Sequence, residues 1–263
     1  MKFTVVIPYC YGGDELRITA VKNLLDSIDA QYHRDFEVIV VEQLVKVKER
    51  SFPFVSRVKE VIVIKDPWDR WFNKSWCINV GVKSVTTDNV LIIDADSLFG
   101  REYFSLVLDF AKKHEFFHGY SWIVLLPGRD NPLVRIRPHS DREIYTPDKM
   151  YGIYATGGTW FTSTKFYWET LGGMNESYFG YGGEDGDMWS RVNYVFKGQI
   201  PELDYPIVHQ YHHWHPADGA NPLDLEKMRA ISAVTAENPE LIIQRLKEVQ
   251  LGDRACPTLI KML

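Results

Sequence analysis

Short runs of apolar residues alternate with stretches of helical spacing along the first half of the chain. FTVVIP (3–8), FEVIVVE (36–42), VKEVIVI (58–64) and NVLIID (89–94) are β-rich and short, which predicts buried strands. Residues 15–30 place Leu16, Ala20, Leu24 and Ile28 on one helical face, and 75–85 and 102–113 read as further helices. WIVLLP (122–127) predicts another strand. Strands alternating with helices form a sheet covered on both faces. The fold class is therefore expected to be α/β, with a Rossmann-like, mostly parallel sheet flanked by helices. Ligands bind such sheets beyond the carboxyl ends of the strands, which directs attention to 8–13, 42–43 and 94–96.

The second half breaks this rhythm. Residues 128–151 are polar and rich in Arg and Pro, and a long excursion of this kind is more often functional than structural. A Gly- and aromatic-dense stretch follows over 151–183, then helical spacing over 184–196. A His-rich run, 209–215, succeeds the β-like YPIV, and 223–250 reads as one or two amphipathic helices. No apolar run is long enough to span a bilayer, and the first one is too short for a signal peptide. The three cysteines, Cys10, Cys77 and Cys256, are scattered and form no CxxC pair, which favours a reducing compartment and a cytoplasmic expectation. A net charge of −5 supplies no overall pull toward nucleic acid or anionic lipid. The 8 Trp, 14 Tyr and 14 Phe suit stacking on sugars or bases, but they fill cores equally well, so composition does not choose a function.

Three clusters carry candidate chemistry. Asp94-Ala95-Asp96 ends the strand VLII, where two carboxylates two residues apart can share a divalent cation such as Mg²⁺ or Mn²⁺, or simply form a solvated turn. In GYGGEDGDMW (180–189) the glycines permit close backbone approach, and Glu184, Asp185 and Asp187 crowd the first turn of a helix. Asp187 is best read there as favourable helix-end charge, whereas Glu184 and Asp185 stand at the loop junction, where a carboxylate can act as a general base. In HQYHHWH (209–215) the spacings of His209, His212 and His215 can complete a metal site begun by a carboxylate.

In this order the clusters resemble the β-1,4-galactosyltransferase family and the related bacterial chondroitin-type polymerases of family 2, nucleotide-sugar transferases with the GT-A fold. FNKSWCINVG (72–81) is similar to the family's FNR-x₄-NVG segment, and 156–192 to its GG-x₄-S…GWGGEDDD-x₃-R block. The resemblance implies a catalytic domain over 1–222, with 223–263 a helical extension packed on it. It implies that Pro8, Tyr9, Arg17, Glu42, Asn73, Lys74, Asn79, Asp94, Ala95, Lys149 and Gly158 bind the nucleotide-sugar, Lys149 at a phosphate and Asp94 at the ribose. Asp96, with His209 and His212, would ligate Mn²⁺ or Mg²⁺. Asp185 would be the general base, and Glu184, with Tyr181, Gly182 and Gly183, would bind the acceptor. The family's aromatic residue two positions before the Gly-Gly is Ala155 here, which leaves room for an N-acetyl group on the donor sugar.

The implied activity is inverting transfer of a hexose or N-acetylhexosamine, galactose- or GalNAc-like, from a UDP-sugar to a hydroxyl, on a glycan. Three rivals stand beside it. Arg129, Arg135, Arg137 and Arg142 in the polar excursion suit a modified-DNA acceptor, against which the net charge weighs. A non-catalytic nucleotide-sugar-binding module would have lost carboxylates that are present here. A nucleotidyltransferase or pyrophosphorylase would want a basic, Gly-rich N-terminal loop, and PYCYGGDELR has one arginine.

Overall fold

The computed structural model describes residues 1–45, 47, 52, 58–68, 70–125, 151–153, 157–180, 182–212 and 222–260. Its centre is a six-stranded sheet of order β3-β2-β1-β4-β9-β6, formed by β1 (Phe3–Tyr9), β2 (Phe36–Leu44), β3 (Glu60–Lys65), β4 (Asn89–Ile93), β9 (Thr159–Ser163) and β6 (Phe116–His118). The first four strands are parallel, and β9 runs antiparallel to both β4 and β6. The mostly parallel sheet expected from the sequence is thus present, with a reversed strand that the sequence pattern did not mark.

Strand periodicity sorts the core onto two faces. From β1, Phe3, Val5 and Ile7 pack with Val21, Leu24 and Ile28 of α1 (Glu15–Asp29) and with Phe104 and Val107 of α3 (Tyr103–Ala111). Val6 faces the other way, onto Ile78 and Val82 of α2 (Lys74–Ser84) and Met188 and Val192 of α4 (Glu184–Phe196). Local chemistry sets where the helices start. Asp14 caps α1 by accepting from the Leu16 amide at 3.0 Å, and Asn73 caps α2 by accepting from Trp76 at 2.9 Å.

A smaller sheet of order β5-β10-β7-β8 joins β5 (Ser97–Leu98), β10 (Pro206–His209), β7 (Trp122–Leu125) and β8 (Tyr151–Ile153). At the C-terminus, α5 (Pro222–Glu237) and α6 (Pro239–Lys247) are separated by Asn238, which caps α6. No helix among the described residues is long and apolar enough to cross a membrane.

Two buried polar networks hold the site-bearing segments. Asp187 pairs with Arg191 at 2.8–2.9 Å, both fully buried, and also accepts from Thr235 of α5 at 2.8 Å. Arg191 donates to the carbonyls of Leu171 and Gly173. Asp187 is therefore an internal anchor rather than mere helix-end charge. In the second network Glu176 accepts from Asn79 at 2.8 Å and from the amides of Gly252 at 2.7 Å and Thr258 at 2.6 Å, which ties the C-terminal tail to α2. Removing one partner of a buried pair leaves a bare charge, so Arg191→Met should destabilise the protein by about 3–5 kcal/mol in urea unfolding. A loss under about 1 kcal/mol would show that the pair does not anchor α4.

Candidate active site

The sheet order reverses between β1 and β4, so the loops after these strands open a cleft at their carboxyl ends. A cleft of about 120 Å³ lies there, lined by Pro8, Tyr9, Cys10, Arg17, Ala20, Phe72, Lys74, Asp94, Ala95, Asp96 and His212. Eight of these lining residues were expected from the sequence: Pro8, Tyr9, Arg17, Lys74, Asp94, Ala95, Asp96 and His212.

Backbone pairing builds the first half of the site. Asp94 donates its amide to the Gly158 carbonyl at 2.8 Å, and its own carbonyl accepts from Ser97 at 3.0 Å, so the D-A-D segment turns tightly into β5. β10 pairs antiparallel with β5, setting His209 opposite Ser97, and the Gln210 amide donates to the Asp96 carbonyl at 2.8 Å. The Asp96 Oδ2 consequently lies 3.3 Å from His209 Nε2 and 3.1 Å from His212 Nε2. One atom from each residue fits within 4.8 Å of the others, a spacing that suits a shared cation. The buried Gln210 side chain secures this end of β10 on α1, accepting from Asn23 at 2.8 Å and donating to the Ala20 carbonyl at 2.9 Å. Burial opposes charge on Asp96, yet the two histidines outweigh it and hold its carboxyl well below the usual range. Burial likewise lowers His209, but Asp96 overrides it and raises the ring above its ordinary value.

The second half converges on Lys74. Its ammonium lies 2.9 Å from Asp94 Oδ2, 3.0 Å from both oxygens of Asp185, and 4.0 Å from Glu184. Burial lowers the lysine, but Asp185, Asp94 and Glu184 outweigh it and hold it well above the ordinary value. Gly157 leaves space for Asp185, because a Cβ there would overlap its Oδ2. Gly183 starts α4 with φ +99°, a backbone state that other residues rarely adopt. Burial, and then the charge of Asp185, push the Glu184 carboxyl up to about 8. Burial pushes Asp94 up to about 6 against the pull of Lys74.

Three residues expected at the donor have internal partners in the structure. Glu42 is fully buried and accepts from the Phe52 amide at 3.1 Å, so it faces the interior. Asn73 spends its side chain on the α2 cap and on the Glu176 carbonyl. Asn79, also buried, donates to Met174 and Glu176 and accepts from Tyr167 and Met174. Both asparagines position α2, and Lys74 alone of the three α2-segment residues reaches the cleft. Gly158 contributes a backbone anchor, through its carbonyl, and Gly182, with φ +89°, leads into α4. Lys149, Ala155, Tyr181, His215 and the four excursion arginines lie outside the described residues. The sequence reading missed Gln210's clamp, and also Tyr120, whose hydroxyl donates to the Gly157 carbonyl beside Asp185.

The raised Glu184 has a consequence for stability. A carboxyl whose folded pKa is raised binds its proton more tightly in the folded state. Its stabilising contribution is present below the ordinary value of 4.5 and is lost as pH rises toward about 8. His118, pushed down to about 4 by burial, acts with the opposite sign, and comparison with a variant cancels it. In chelator, the melting temperature of Glu184→Gln should therefore fall less than that of the wild type between about pH 5 and about pH 8. Equal slopes would mean that Glu184 is already ionised in the folded protein.

Comparison with known proteins follows the geometry. The model described as glycosyl transferase family 2 matches residues 4–150, more than half of the chain. The model described as the N-terminal domain of galactosyltransferase matches 138–216. No curated protein sequence matches. Among solved structures, S. aureus TarS 1–349 in complex with UDP-GlcNAc superposes with a TM-score of 0.57 at 17% identity, over 94% of this chain and 70% of that one. A longer S. aureus TarS chain gives 0.50 at 16% identity, over 94% of this chain and 42% of its own length. A Drosophila β1,4-galactosyltransferase 7 mutant in complex with manganese, UDP-Gal and xylobiose gives 0.45 at 16% identity, over 77% and 64%. Likeness at these identities speaks to the fold. The family match and this fold together identify the chain as a glycosyltransferase of family 2, with the GT-A architecture.

Proposed function

We propose that this glycosyltransferase moves a hexosyl or N-acetylhexosaminyl group from a UDP-sugar to a hydroxyl of a glycan, with inversion at the anomeric carbon. The observation that carries the reading is that the short Asp94-Ala95-Asp96 turn joins two clusters, Asp96 with His209 and His212, and Asp94 with Lys74, which also meets Asp185 and Glu184. The solved TarS complex with UDP-GlcNAc supports a uridine diphosphate donor.

The donor set suits Mn²⁺ or Mg²⁺. Asp96 Oδ1 is buried without a hydrogen-bond partner among the described residues, and two imidazole nitrogens flank Oδ2. When bound, the cation would neutralise charge that develops on the diphosphate. Lys74 adds a second positive charge at that side of the cleft. Asp94 stands where it can accept from a donor hydroxyl, and Arg17 and Pro8 line the nucleotide side. Asp185 takes the proton of the acceptor hydroxyl as that oxygen bonds to the anomeric carbon. The bond from that carbon to the diphosphate breaks, and its electron pair leaves with UDP. Glu184, protonated near neutrality, donates a hydrogen bond to the acceptor while offering its other oxygen as an acceptor. In this reading residues 1–222 are the catalytic domain and 223–263 brace it.

Calorimetry with UDP, GDP, CDP and ADP, each with and without Mn²⁺, tests the donor half. UDP should bind only with metal, and Asp96→Asn should abolish that binding. Binding of UDP with equal strength in chelator would overturn the metal assignment. Kinetics test the other half: Asp185→Asn should lower turnover about 10²–10⁴-fold while UDP–Mn²⁺ still binds. A near-normal rate would remove Asp185 as the base.

A further inference from the structure

Beyond β3, residues 66–68 and 70–72 carry an aromatic group that the transfer chemistry does not use. Asp66 is buried and organises the loop. Its carboxylate accepts from the Trp68 and Arg70 amides at 3.4 and 3.1 Å and from the Arg70 guanidinium at 2.6 and 3.0 Å. The guanidinium is sandwiched between two rings, 4.5 Å from the Trp68 centroid and 4.0 Å from that of Phe179. Trp68 is nonetheless 64% exposed. Its indole is thus held against the guanidinium while much of its surface stays open to water.

Its position gives it meaning. Two residues beyond Arg70, Phe72 lines the cleft, and its carbonyl accepts from the Gly180 amide at 2.7 Å. Arg70 and Phe72 are thereby joined to Phe179 and Gly180, a few residues before Glu184 and Asp185. We propose that Trp68 is a stacking platform for a second sugar ring of the acceptor, one or more residues away from the ring that receives the transferred unit. This rests on the reading of the 182–185 segment as the acceptor side. A pyranose ring offers an apolar C–H face that matches an exposed indole, and its hydroxyls stay in water at the rim. The positive charge in the stack is already met by Asp66, so the platform is electrically balanced and suits a neutral sugar better than a polyanion.

The test uses the full chain labelled with 5-fluorotryptophan, with the Trp68 resonance assigned by its loss in Trp68→Phe. Fluorine spectra are recorded with UDP and Mn²⁺, then with methyl glucoside, cellotetraose, chitotetraose and xylotetraose, and separately with a thymidine octanucleotide. The expected result is a saturable shift of the Trp68 resonance with at least one tetrasaccharide and none with methyl glucoside. If UDP and Mn²⁺ move other tryptophan resonances but no tetrasaccharide moves Trp68, the platform is overturned and the donor reading stands. If nucleotide and metal move nothing, the donor reading fails, whatever the saccharides do. A Trp68 shift with the oligonucleotide alone overturns the sugar in favour of a nucleic-acid acceptor.

Discussion

One buried ammonium sets the terms for the rest of the site. Lys74 stands among Asp94, Asp185 and Glu184, and without it three carboxylates would be gathered in a poorly hydrated space. A single positive charge cannot neutralise all three, and the imbalance is relieved by protonation, which falls on the most deeply penalised group, Glu184. Two chemically similar side chains, adjacent in sequence, are thereby set to different tasks: one in contact with the cation, the other holding a proton. The distinction depends on where the first turn of α4 points each of them.

That arrangement needs its elements to be fixed at close range, and the fixing is done by polar groups that never touch the cleft. Asn73 and Asn79 lie at two points along the α2 segment and are stitched to 174–176, so that Lys74 is presented from a helix start that cannot drift. Arg191 holds α4 against the carbonyls of 171 and 173, and Glu176 brings the C-terminal tail into the same knot. The carboxylates that the chemistry would use and those that hold the frame lie close in sequence. They differ in what meets them: Asp187 and Glu176 are held by Arg191 and by amides away from the cleft, whereas Asp94 and Asp185 share Lys74 at its edge.

This explains what could be read from the chain alone. Apolar runs with helical spacing between them marked β1 to β4 and α1 to α3, because β1, β2 and β4 are almost wholly buried and the edge strand β3 still keeps Ile62 and Ile64 inside. TWFTS of β9 escaped, since its residues sit in a Gly- and aromatic-rich stretch with no alternation, and its place beside β4 is fixed by pairing at long range. The carboxylates and histidines stood out by clustering. The internal partners of Glu42, Asn73 and Asn79 were not legible, because neither a position after a strand nor a matching segment says which neighbours a side chain will meet. Gln210 carries no signal of its own, because an amide in a polar run looks like any surface residue until α1 is seen beneath it.

The pairing of β5 with β10 has a temporal meaning as well. Asp96 and the two histidines come from opposite ends of the chain's fold and meet only because a two-residue strand is joined by one formed much later in the sequence. Closing so long a loop is entropically unfavourable until the large sheet exists to receive it. During synthesis the N-terminal strands can collapse while the triad is still unmade. The nascent protein would thus pass through a stage with much of the large sheet in place and the Asp96–His209–His212 cluster not yet assembled, so that this cluster would mark the end of folding rather than guide its beginning.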